Sequence, residues 1–157
     1  MSEALAYADV TAQAATTDTI EYNTGYFVPD TFSTYYSPYY RGVGEDWSWT
    51  HNAITESFMT ASLSISAFDV DLSSGELDSI YAFDGTDFIF LDYLDGASDQ
   101  YSYTTCTLGS EFYAQIALGL QMAIGIDEND DGWYITLAKS ALTTDGADLP
   151  PVNPRAA

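Results

Sequence analysis

Four carboxylates crowd one short stretch of the chain. Asp69, Asp71, Glu76 and Asp78 flank the turn sequence Leu72-Ser73-Ser74-Gly75, with no Lys or Arg near them in sequence. Side chains alternate faces along a strand, so Asp69 and Asp71 share a face with Leu63, Ile65 and Ala67. By the same rule Glu76 and Asp78 share a face with Ile80 and Ala82. Joined as an antiparallel hairpin, the two strands set Asp71 opposite Glu76 and Asp69 opposite Asp78, at the rim of the core. Like charges facing each other weaken a β-pair, and a carboxylate on the apolar side is costly unless paired or metal-bound. Ca²⁺ suits a flexible, oxygen-rich loop better than Mg²⁺ does, and Ser73 Oγ or main-chain carbonyls would add ligands. A bulge near Phe68 that turns the acids out to water accounts for the same pattern without a metal.

A second candidate is Asp127-x-Asn129-x-Asp131-Gly132, which matches the first half of a calcium loop. Ala138 stands where a bidentate Glu would close the site, and WYITLA reads as a strand, so this is not an EF-hand. It reads as an acidic hairpin loop of ordinary turn chemistry, or as a partial calcium site shared with another loop. A third feature is the run Tyr35, Tyr36, Tyr39 and Tyr40 around Pro38, followed by Trp47 and Trp49. Such rings offer flat apolar area with a polar edge, suited to sugar stacking or to protein interfaces. Core packing or ligand binding accounts for the face shared by Trp47, Trp49 and His51, whereas consecutive tyrosines point both ways and are harder to bury. Tyr36, Tyr39, Tyr40 and Trp47 are therefore the candidate contacts to a glycan or a second subunit.

Catalysis has little to build on. His51 is the sole histidine, so any Ser-His-Asp arrangement must run through it, and its neighbours Trp49 and Asn52 suggest packing and turn roles. Zinc sites need several His or Cys, and Cys106, alone in a strand-like stretch, reads as a small core residue. No pair among the 24 acidic residues stands out for glycoside hydrolysis. The expectation is a protein that is not an enzyme.

The elements that must position these residues are short. Runs rich in Thr, Tyr, Phe, Ile and Ser alternate with turn signals, which predicts strands over 19–28, 46–51, 61–71, 78–83, 87–92, 100–108, 118–126 and 132–139. Turns fall at Ser73-Ser74-Gly75, Asp84-Gly85, Asp95-Gly96 and Asp131-Gly132. The stretch 110–120 reads equally as one short helix or a strand. The fold class is all-β, an antiparallel β-sandwich. Residues 1–17 read as an N-terminal arm, 18–148 as a single domain, and 149–157, with three prolines, as a tail.

The net charge of −21 bounds the partners. Such a surface repels phosphate backbones and anionic lipid, which excludes nucleic acid and electrostatic membrane attachment. No apolar run is long enough to span a membrane, and MSEALAYADV shows neither the basic nor the apolar region of a signal peptide. Adaptation to saline solvent alone would also account for the charge.

The strings WSWTHN (47–52), ASLSISAFDVD (61–71), GELDSIYA (75–82) and DGWYITLAKS (131–140) resemble a group of exported bacterial β-sandwich proteins, many of which carry a PEP-CTERM sorting tail. The resemblance covers residues 46–142 and implies a jelly-roll-like sandwich, secretion, and a place at the cell surface or in an extracellular matrix, with no catalytic residues. LPPVNPRAA departs from that group in lacking the sorting motif and its apolar anchor. The expected function is a structural or adhesive extracellular protein, stabilised by Ca²⁺ and self-assembling into an oligomer or filament, with residues 1–17 adding to a neighbour's sheet edge. The alternative is a carbohydrate-binding module for an extracellular polysaccharide.

Overall fold

The structure, a computed structural model, describes residues 14–146 except 23, 31 and 33. The arm expected over 1–17 lies outside the described residues up to position 13, and the tail over 149–157 lies outside them entirely. Among the described residues eight strands form: β1 (Thr16–Ile20), β2 (Trp47–Thr50), β3 (Phe58–Phe68), β4 (Ser79–Phe83), β5 (Phe88–Tyr93), β6 (Tyr101–Leu108), β7 (Gln121–Gly125) and β8 (Thr136–Gly146). β1 begins at Thr16, inside the stretch read as an arm, and pairs along its length with β8.

The strands make two four-stranded antiparallel sheets, ordered β1-β8-β3-β6 and β2-β7-β4-β5. First pairs with last, second with seventh, third with sixth and fourth with fifth, as if one long hairpin had been rolled up. This is a jelly roll. Period-two alternation supplies the core. Leu63 sits in register between Cys106 and Leu142 on one sheet. On the other, Ile80 sits in register with Ile124, which faces Trp47, and Ala82 with Met122, which faces Trp49. All of these side chains are buried. Burial pushes the Cys106 thiol up to about 11, with Asp92 adding to the shift, so at neutral pH it stays a protonated core group.

The stretch 110–120 is helical at first. A 3₁₀ turn, Ser110–Phe112, which buries Phe112 in the core, leads into helix α1 (Tyr113–Leu118), which buries Ile116 there. Gly119 then breaks it, and Leu120 and Met122 pass into the core as the chain enters β7. No helix among the described residues is long and apolar enough to cross a membrane.

One expected pairing does not occur. β3 pairs with β6 and β8, and β4 with β5 and β7, so 69–78 crosses from one sheet to the other instead of closing a hairpin. Asp69 leaves β3 with a left-handed φ of 66°. A 3₁₀ turn, Leu72–Ser74, ended by Gly75 at φ 98°, then carries the chain across.

Candidate functional site

The β1–β2 connection is long and aromatic, and it is tied down at several points. Val28 N–H donates to Leu137 O, and Arg41 exchanges both backbone hydrogen bonds with Ile135. Thr136 Oγ1 donates to the carbonyls of Thr34 and Tyr39. Phe27 is buried against Trp47 and Trp49, at ring separations of 5.4 and 5.3 Å. The Arg41 guanidinium lies 4.5 Å from the ring centres of both Tyr26 and Trp47, and it donates to Pro38 O and Asp46 O. Arg41 is therefore the clamp of this connection.

The clamped loop frames a groove of about 570 Å³ lined by Tyr22, Phe32, Thr34, Tyr36 and Tyr39, with Phe27 and Val28 as its floor. Tyr36 is 78% exposed and Tyr39 40% exposed. An adjoining hollow of about 300 Å³ is lined by Arg41, Asp46 and Ser48 and shares Gly25 and Phe27. Of the residues expected to contact a ligand, Tyr36 and Tyr39 line the groove. Tyr40 and Trp47 do not. Tyr40 OH donates to Asp69 Oδ2 at 2.7 Å, and burial together with that carboxylate raises its pKa. Trp47 is 2% exposed and belongs to the core. Tyr22 and Phe32 are hidden in the sequence because they are scattered among polar residues, and only the fold gathers them.

The expected four-carboxylate site is divided. Asp69 is held by Tyr40 OH and by Asp99 N–H at 2.9 Å. Asp71 is half-buried, and its carboxyl is raised by burial and by the Asp69 charge. Glu76 and Asp78 are fully buried together. Glu76 Oε2 accepts from Asp71 N–H at 2.7 Å, and Asp78 Oδ1 from Asp127 N–H at 2.8 Å. Burial first, and the neighbouring Asp78 charge second, push the Glu76 carboxyl well above its ordinary range, and burial raises Asp78 too.

The second candidate loop packs directly against that turn. Asp127 is 1% exposed at φ 54°, and its carboxylate accepts from the N–H groups of Asp131, Gly132 and Trp133. Asn129 Nδ2 donates to Gly75 O and to Asp131 Oδ2. Asp127 thus carries out turn chemistry, with its oxygens filled by backbone donors. Among the described residues no group of three or more His, Cys, Asp or Glu side chains is arranged to hold a metal ion.

His51 does form a Ser-His-Asp chain. Its Nδ1 lies 2.8 Å from Asp18 Oδ2, and its Nε2 lies 2.9 Å from Ser140 Oγ and 3.4 Å from Trp49 Nε1. Two donors at Nε2 assign the ring proton to Nδ1, which donates to Asp18. Ser140 is 0% exposed and His51 1%. A hydroxyl sealed in the core meets no substrate, so this chain ties β1, β2 and β8 together. Burial lowers the His51 pKa despite the opposing Asp18 charge. Comparison with family models, with curated proteins and with solved structures gave no match.

Proposed function

We propose that this chain is a non-catalytic adhesive module of a cell surface or extracellular matrix, and that it holds neutral polysaccharide in the aromatic groove. The observation that carries the reading is the set of exposed rings, Tyr22, Phe32, Tyr36 and Tyr39, around one clamped groove. Apolar sugar faces stack on such rings, and Thr34 and the tyrosine hydroxyls supply polar edges. A net charge of −21 disfavours acidic glycans and favours neutral ones. The location rests on the sequence resemblance to exported bacterial β-sandwich proteins. Affinity electrophoresis in gels of neutral polysaccharide tests the reading with the double substitution Tyr36→Ala/Tyr39→Ala. Two rings at about 0.5–1.5 kcal/mol each predict a loss of about 5- to 150-fold in affinity. Unretarded wild-type protein across a broad glycan panel would sink it.

A second reading, self-association, rests on β5. This edge strand exposes Phe88, Ile89 and Phe90 in succession. Unblunted apolar edges favour pairing with another chain. A sedimentation series at rising salt tests it: a monomer at every salt concentration removes this reading.

A further inference from the structure

Glu76 and Asp78 each commit one carboxylate oxygen to a backbone N–H. The other oxygen of each, Glu76 Oε1 and Asp78 Oδ2, is buried and has no hydrogen-bond partner. The two carboxyl groups nevertheless lie within hydrogen-bonding reach of each other. As two carboxylates they have no donor between them. We propose that Glu76 Oε1 and Asp78 Oδ2 are the paired carboxylate ligands of a calcium ion seated in the 69–78 crossover between the two sheets.

The charge around the pair demands compensation that the cations among the described residues do not give. Among the described residues, Lys139 lies against Asp30 at 3.4 Å and Arg41 is stacked in the aromatic clamp. Asp71, Asp127 and Glu128 instead add negative potential at the pair. Two uncompensated buried carboxylates would be very costly, and a divalent ion neutralises both at once. The spacing also fits. Neighbouring oxygens around an ion with six to eight ligands at about 2.4 Å are themselves about 3 Å apart, the range in which hydrogen-bonded oxygens meet. Only two carboxylates converge, so main-chain carbonyls and water complete the shell. Ca²⁺ accepts such a mixed, irregular set, whereas Mg²⁺ demands a near-ideal octahedron. So few charged ligands place the affinity at about 10⁻⁴–10⁻³ M, the regime of extracellular modules. Asp69, already filled by Tyr40 and Asp99, is not a ligand.

The test is thermal unfolding of the full chain in CaCl₂, MgCl₂ and EGTA at constant ionic strength, for wild type and for Glu76→Gln. The amide introduced by Glu76→Gln keeps an acceptor for Asp71 N–H and gives Asp78 a donor, so the variant is expected to fold. At a calcium concentration a hundred times Kd, wild type should melt about 5–10 °C higher, Mg²⁺ should do far less, and Glu76→Gln should not respond. If wild type ignores calcium, the pair holds a shared proton and the proposal is overturned. Equal responses to Ca²⁺ and Mg²⁺, or an undiminished calcium response in Glu76→Gln, overturn it as well, because either places the ion on the acidic surface. Should Glu76→Gln not fold, Asp78→Asn replaces it on the same criteria.

Discussion

Arg41→Ala should loosen the groove and destabilise the whole sandwich, and the size of the effect follows from its contacts. The guanidinium stacks on Tyr26 and Trp47 at 4.5 Å each, which at a half-exposed site contributes about 0.5–1 kcal/mol per ring. Its hydrogen bonds to Pro38 O and Asp46 O, at 2.7 and 3.2 Å, add about 1 kcal/mol each in a partly solvated setting. The total is about 3–4 kcal/mol before relaxation, and a loop that re-closes over the gap brings it to about 2–4. For a chain of this length that lowers Tm by about 5–15 °C. Urea unfolding followed by tryptophan fluorescence measures it, because Trp47 is the clamped ring. Arg41→Lys keeps the charge but not the flat, forked head, so it should recover less than half of the loss. Unfolding of Arg41→Ala within about 0.5 kcal/mol of wild type at an unchanged m-value would refute the clamp, for then the anchors at Val28 and Thr136 suffice without it.

The buried histidine predicts a pH response. His51 has its pKa lowered on folding, so the unfolded chain binds its proton first, and stability present above pH 6.5 declines as pH falls through the folded value. The slope reaches at most about 1.4 kcal/mol per pH unit. The amide introduced by His51→Asn can still donate to Asp18 but does not titrate, so the stability difference between variant and wild type should change below pH 6.5; a flat difference contradicts the assignment. Asp127→Ala strips an acceptor from three backbone N–H groups and should cost about 2–4 kcal/mol. Asp127→Asn keeps one acceptor oxygen and tolerates φ 54°, so chemical denaturation should show about half that loss, and equal losses would mean that charge matters more than geometry.

The strands are legible because their signals are local. Alternation in ASLSISAF and the turn at Asp84-Gly85 mark β3 and the β4–β5 hairpin without knowledge of the rest. The hairpin expected between β3 and β4 misleads for the same reason: alternation gives the face a residue takes, not the strand beside it. Gly75 looks like a hairpin turn from sequence, yet it ends a 3₁₀ turn within a crossover between sheets. Glu76 and Asp78 are recognisable as inward acids, whereas the contact of Asp78 with Asp127 spans 49 positions and leaves no local trace. The His51–Ser140 bond spans 89, and nothing around Ser140 advertises it. Tyr36 and Tyr39 stand out because they cluster; Tyr22 and Phe32 do not, because only the folded loop brings them beside that cluster.

The rolled pairing has a consequence in time. Thr17 meets Thr143 across 126 positions, so the first strand made waits for the last. A chain organised this way has little to gain from folding as it emerges from the ribosome, and closure of such distant pairs belongs to the millisecond-to-second range. Until β8 is complete, β1 and β3 both lack a neighbour. During that interval the dense negative charge keeps nascent copies apart. The acidity that burdens the finished fold therefore protects the unfinished one.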